Sequence, residues 1–330
     1  FAGLNLSVGS EPVPLADVAE SLGSLLGGGA SADSEADSLL DSRLGLWVRG
    51  NYGFGEKQAT YADHGFDSDQ WGLMAGADFR FSPRYVLGVA LGYGQSKVSF
   101  GATDSGHLDT TALTAALYAT MYSESGFYAD AIANYVRSSH DSRRRNDFTE
   151  GGTRLLGDAQ AAADGATIGT AFTFGYDWAI GAFTVAPSIG YNYLSTRIGS
   201  FQEFSGKGLD LIFDEQRYTS ATTNAGLRLS YAWKTAVGVV LPQIRGEFIR
   251  EFMDEEESFG VRFANDPFDD TPRIIVRTEM PDRSYWRLAA GIAAQFKHGV
   301  SGFVEYQRIE SLQYFSYADV ALGLRVERAF

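Results

Sequence analysis

From Arg43 to the end of the chain, apolar side chains recur at every second position, the period of β-strands with one face against an apolar medium. Tyr317 to Phe330 shows it most cleanly. Ala318, Val320, Leu322, Leu324, Val326 and Phe330 share one face, broken only by Arg328, and Asp319, Arg325 and Glu327 lie on the other. The same alternation predicts strands near 43–55, 68–81, 84–98, 107–122, 126–138, 164–179, 181–198, 217–233, 237–252, 283–296, 300–312 and 315–330, twelve in all. Short turns fall at Ser82-Pro83-Arg84, Ser123-Glu124-Ser125-Gly126, and around 180–182, 234–236 and 297–299. Longer, polar, irregular loops are expected near 56–67, 99–106, 139–163, 199–216 and 253–282. An even number of strands, with short turns at one end and long loops at the other, predicts an all-β transmembrane fold, a 12-stranded antiparallel outer-membrane barrel.

The alternation also sorts charge. Bulky residues such as Trp71, Leu91, Phe172, Tyr191, Ile244 and Trp286 take the outward parity. The opposite parity carries the arginines Arg49, Arg80, Arg228, Arg245, Arg287 and Arg325, and the acids Asp78, Asp130, Asp177, Glu247, Glu305, Asp319 and Glu327. A basic side chain facing lipid at mid-bilayer costs ~2–4 kcal/mol, so these are expected to line a polar pore. A soluble sandwich or lipocalin-like barrel would instead have to bury aromatics from every strand on one face, with Gly, Asn and Arg outside.

Residues 1–42 follow a different period. Pro14 suits a first helical turn, and Leu15, Val18, Leu22, Leu25 and Leu26 recur at helical spacing with Asp17 and Glu20 between them. Gly27-Gly28-Gly29 ends that helix, and an acidic stretch follows with Asp33, Glu35, Asp37 and Asp41. The chain therefore divides at 42/43 into a leader and a barrel. Phe1 is neither an initiator Met nor part of a signal peptide, which predicts a processed or excised C-terminal portion of something longer.

Composition narrows the partners. The 330 residues carry a formal net charge of -14, which leaves no basic surplus for nucleic-acid phosphates. Aromatics reach 14% and there are 38 Gly and no Cys, a balance suited to barrels with aromatic girdles. No run approaches the ~18 apolar residues of a membrane helix, so a membrane-spanning form must be a closed barrel.

With these features the chain resembles the C-terminal translocator β-domain of monomeric autotransporters of type V secretion. The resemblance rests on the helix-bearing leader, the twelve strands, the opening stretch Leu46-Trp47-Val48-Arg49-Gly50 and the final strand ending in Phe330. It implies an integral protein of a Gram-negative outer membrane, most simply a monomer, that brings its own upstream passenger to the cell surface. It further implies a leader left in the pore, a terminal Phe330 read by the barrel-assembly machinery, and contact with outer-membrane lipid and lipopolysaccharide. Geometry allows the plug. A helix from Pro14 to Leu26 spans ~20 Å, and with the extended acidic stretch the leader can cross a ~30 Å core. Some members cleave their passenger with a leader Asn and lumenal acids. Here Asn5 lies upstream of the predicted helix with no Asn-Asn or Asn-Asp pair, so the passenger is expected to stay attached. The alternative is a stand-alone porin or channel with the leader outside the lumen.

No catalytic, cofactor or metal site is expected. The histidines His64, His107, His140 and His298 are read as lying in loops, at a strand start or in a turn, and none has the i, i+4 spacing of a metal helix. A barrel phospholipase would need a Ser–His pair on a strand with a third orienting group. A barrel protease could draw only on Asp269-Asp270 with His64 or His107. Arg143-Arg144-Arg145 reads as a patch for lipopolysaccharide or the passenger, and Asp254-Glu255-Glu256-Glu257 as a solvated loop face. Any enzyme activity is expected upstream of the barrel.

Overall fold

Strict alternation along every predicted strand leaves each with one lipid-compatible face, and a sheet built of such strands can satisfy its backbone in a membrane only by closing on itself. The computed structural model describes residues 44–59, 65–101, 106–150, 152–204, 208–253, 258–266, 273–277, 283–312 and 314–328. The predicted leader helix, its acidic stretch and Phe330 lie outside these residues. In chain order the strands are β1 (Leu44–Lys57), β2 (Phe66–Ser82), β3 (Tyr85–Phe100), β4 (Gly106–Tyr122), β5 (Phe127–Glu150) and β6 (Thr153–Tyr176). They continue as β7 (Trp178–Ile180), β8 (Phe183–Ile198), β9 (Phe201–Gln202), β10 (Leu211–Phe213), β11 (Gln216–Tyr231) and β12 (Trp233–Thr235). The last are β13 (Gly238–Glu251), β14 (Ser258–Phe263), β15 (Ile274–Arg277), β16 (Ser284–Phe296), β17 (Val300–Glu310) and β18 (Phe315–Arg328).

Twelve of them form the barrel, in the order β1 to β6, β8, β11, β13, β16, β17 and β18. β1 pairs with β2 on one side and with β18 on the other, Leu44 opposite Arg328 and Lys57 opposite Phe315. Every neighbour is antiparallel, and β1 pairing with β18 closes the membrane-spanning sheet on itself, which removes the two edges an open sheet would leave. β7 and β12 are periplasmic continuations of β6 and β11. The β6 ladder stops at Gly175–Ser188 and resumes at Trp178–Val185, a break that falls opposite Pro187. The β11 ladder stops at Ser230–Gln243 and resumes at Trp233–Val240, opposite Pro242. Proline has no N–H to give the ladder, so one residue type makes the same interruption twice.

The outward face is apolar. Leu73, Leu91, Leu117, Ile168, Phe174, Ile189, Ile244, Leu288 and Leu324 are all exposed to the surrounding medium. Aromatics gather at its two rims. Phe79–Phe81, Phe127–Tyr176 and Phe183–Tyr231 pack near the short turns, and Trp71–Tyr93 and Phe248–Trp286 near the long loops. On β5 the band runs from exposed Phe127 to exposed Tyr135. Eight steps at ~3.3 Å give ~26 Å along the strand, or ~20 Å of height at the ~40° tilt of such barrels, slightly under their ~25 Å apolar band.

Three long loops expected to be irregular contain strands. Residues 139–163 are the outer halves of β5 and β6, each 24 residues long, paired from Phe127–Tyr176 out to Glu150–Thr153. Period-two patterning continues there in small residues, with Ala159, Ala161 and Ala163 turned inward and buried. The 199–216 and 253–282 stretches contribute β9, β10, β14 and β15, a separate antiparallel sheet in the order β15–β14–β10–β9. Its apolar face meets inward side chains of the barrel itself. Phe201, Leu211, Phe213, Phe259 and Val261 form one core with Phe66 of β2, Val98 of β3, Leu108 of β4, Ala161 and Ala163 of β6 and Ile198 of β8, with Phe315 of β18 packed against it. Inner-wall residues from so much of the circumference can reach one cluster only if the small sheet sits inside the outer mouth.

Candidate functional site

The inner wall of the barrel is the surface on which function depends, and most of its charge is already paired. At the periplasmic half a chain of contacts crosses the seam between the first and last strands. The Trp47 indole donates to Tyr118 (2.6 Å), and the Tyr118 hydroxyl donates to Asp78 (2.9 Å). Arg325 grips both oxygens of Asp78 at 2.6 Å and donates through Nε to Glu327 at 2.9 Å, with Arg80 a further 3.7 Å from Glu327. The Arg325 and Asp78 side chains are 2% and 1% exposed, so two ions share a site from which water is excluded. Bidentate geometry is what lets such a pair offset its desolvation.

Gly45 makes this contact possible. It lies on β1 between the partners, and a Cβ there would sit 2.2 Å from Arg325 Nη2 and 2.6 Å from Asp78 Oδ1. Gly76 and Gly88 open similar space for the rings of Trp47 and Tyr118. Parity marked the charged positions in the sequence, whereas Trp47 was noted only within the opening stretch and Tyr118 not at all. Their signal was the parity they share with Arg49 and Asp78 and the glycines facing them.

A second network lies on β11, β13, β16 and β17, next round the wall from β18. Arg245 donates to Glu305 (3.0 Å) and lies 3.6 Å from Glu247, which also accepts from Arg287 (3.2 Å) and Asn224 (2.8 Å). Arg228 donates to Asp177 at 3.1 Å, and Thr120 donates to Asp130 at 2.7 Å. Asp319 is 1% exposed and faces inward beside Gln307. Arg49 differs from the other five arginines. It is 4% exposed, and its Nε and Nη1 have no hydrogen-bond partner among the described residues.

Two readings of the loops and histidines are corrected. The Arg143-Arg144-Arg145 run lies on β5 and not in a loop, and alternation along the strand sends its side chains to two carboxylates. Arg143 bonds Asp158 at 2.7 Å, Arg145 lies 3.8 Å from it, and Arg144 grips both oxygens of Glu203 at 2.9 and 2.6 Å. His140 sits in the middle of β5, not in a loop, and is 2% exposed on the inward face. Its Nε2 lies 2.9 Å from Ser138 Oγ and its Nδ1 3.0 Å from Thr110 Oγ1. Gly165, opposite Ser138, leaves room for both side chains. A Ser–His pair on a strand is therefore present, but a hydroxyl stands where a hydrolase would need a group to stabilise imidazolium. His140 lies beyond the Tyr135 rim, and there burial pushes its pKa below the ordinary histidine value against the weaker pull of Asp164 and Asp141.

The chain matches the family model "Autotransporter beta-domain" over residues 46–307. Among curated proteins it is 26% identical to Esterase EstA of Pseudomonas aeruginosa over 51% of this chain and 26% of that protein. It is 27% identical to an extracellular serine protease of Serratia marcescens over 60% of this chain and 18% of that protein. The chain thus spans about a quarter or less of the length of these relatives. In fold it is similar to the translocator domain of autotransporter NalP from Neisseria meningitidis, with a TM-score of 0.66 and 14% identity, covering 94% of this chain and 95% of that one. It is also similar to the beta domain of the Bordetella autotransporter BrkA, with a TM-score of 0.60 and 17% identity, covering 87% of this chain and 100% of that one. A closed twelve-stranded barrel with an apolar outer face, a charged inner wall and this family match identify the chain as a member of the autotransporter β-domain family, an outer-membrane translocator domain.

Proposed function

We propose that residues 1–42 are the passenger's tail and a leader that stays in the pore of the 43–330 barrel, held by the charged inner wall. The observation that carries this is Arg49, a buried guanidinium with two nitrogens that have no acceptor among the described residues. An uncompensated buried charge is strongly destabilising, so a carboxylate is the expected occupant of the space beside it. The leader supplies several in Asp17, Glu20, Asp33, Glu35, Asp37 and Asp41. Arg80, Arg228, Arg245, Arg287 and Arg325 have lumenal carboxylates of their own, which leaves Arg49 as the anchor.

On this reading the barrel itself performs no chemistry. Any enzymatic activity belongs to the passenger upstream of Phe1, a reading supported by relatives named as an esterase and a serine protease. Its partners are the passenger, the barrel-assembly machinery, which reads the last strand, and outer-membrane lipid and lipopolysaccharide.

A reporter fused upstream of Phe1 tests export: protease added to intact cells should remove it. In the purified protein, Arg49→Glu should make the leader digest faster while the barrel resists, and reversing the leader acids in that variant should restore protection. A reporter retained inside the cell would instead favour a stand-alone channel. Unchanged leader protection in Arg49→Glu would remove Arg49 as the anchor while leaving export intact.

A further inference from the structure

The sheet formed by β9, β10, β14 and β15 is too small to have a core of its own. Its strands are two, three, six and four residues long. Three or more strands need an apolar face buried against something to be stable, and among the described residues this sheet finds that something in the barrel wall. Phe201 stacks on Phe213 at 4.6 Å, Phe213 meets Phe259 at 6.4 Å, and Phe66 closes the layer from below against Phe100 and Phe315. Lifted from the mouth, the sheet would expose this whole face to water and lose its reason to fold.

A latch holds one side of it. Glu203, 2% exposed just after β9, accepts two hydrogen bonds from Arg144 on the long β5 and one from the Leu211 N–H of β10 at 3.0 Å. Arg144 also donates to the Leu209 carbonyl at 3.3 Å. Phe204 and Gln160 exchange backbone hydrogen bonds at 2.9 and 2.8 Å, which ties the segment to the wall at β6. Arg273 bonds Asp214, so the far strand is clipped back to the near one. The sheet has one wall-bound side, one apolar underside and polar clips that water can replace.

We infer that this sheet is a lid that closes the outer end of the lumen by docking and folding in one step, independently of the leader. A passenger cannot pass under the docked sheet with Phe201, Phe213 and Phe259 packed on the wall, so the lid is off during export and afterwards closes beside the leader that still runs out to the passenger. Docking coupled to folding makes it two-state, since the sheet has no intermediate arrangement in which its apolar face is satisfied.

Thiol labelling of the full chain tests this without any passenger. The protein has no cysteine, so Ser96→Cys places a single thiol on the inner wall of β3, two positions below Val98 of the lid core. A charged, membrane-impermeant thiol reagent added from outside should label it slowly. With Phe213→Asp in the same chain, labelling should rise by roughly a hundredfold, the order of change in open population when a buried Phe is lost. Arg144→Glu, which reverses the latch outside the apolar core, should raise it by a smaller factor and serves if Phe213→Asp fails to insert. Equal labelling in all three proteins overturns the lid. Because the leader is intact in each, that result would leave the reading of the leader as a plug untouched.

Discussion

At the scale of single residues, the contact between Arg325 and Asp78 does the most for the barrel, and it depends on the absence of a side chain at Gly45. Arg325→Ala leaves Asp78 buried and unpaired, so it should destabilise the folded barrel by ~3–5 kcal/mol. The denaturant midpoint of the heat-modifiable band on gels would show it, and a midpoint within error of the parent would rule the pairing unimportant. Gly45→Val should act in the same direction with every charge kept, because its Cβ would displace the guanidinium. Parity alone placed both ions on the inward face. That they meet was illegible, because they are 247 positions apart and become neighbours only when the last strand closes against the first. Arg49 was likewise legible as inward but not as the arginine left without a lumenal carboxylate. That distinction needs the positions of all the others.

At the scale of elements, the barrel strands were legible wherever bulky apolar residues alternate with polar ones. They were missed where alanine took the inward places, as at Ala159, Ala161 and Ala163, because a small side chain carries little hydrophobic signal. The lid strands were missed for a different reason. Two- and three-residue strands show no period, and what stabilises them is the wall they dock on. His140 belongs to this scale, since it lies on β5 beside Ala163 of the lid core and was read as a loop residue. Burial lowers its folded-state pKa, so as pH falls the unfolded chain binds the proton first. Its contribution to stability is complete above the ordinary histidine value near ~6.5 and is lost progressively below it. Thermal midpoints of the detergent-solubilised protein should therefore fall between pH 8 and pH 5.5 by more in the parent than in His140→Gln. Parallel pH profiles for the two proteins would show that His140 takes no part.

At the scale of the whole molecule, the number of barrel strands, their antiparallel order and the apolar outer face followed from period, turn length and charge sorting alone. Closure followed from the requirement that no backbone group face lipid unpaired. The assembly signal belongs here too. Deleting Phe330 should lower the amount of barrel inserted in the outer membrane while the protein that does insert keeps its heat-modifiable band, and normal insertion in cells would count against the signal. Closure carries one further consequence, drawn from the notch at Gly45. Arg325 stands opposite Trp47 and reaches over Gly45 to Asp78. Sliding β18 by one place would turn Arg325 into lipid, at ~2–4 kcal/mol. Sliding it by two would keep the face but bring the guanidinium over the Trp47 ring or past the start of β1. The seam therefore has a single reading frame, and a barrel closed out of frame betrays itself by a charge with nowhere to go.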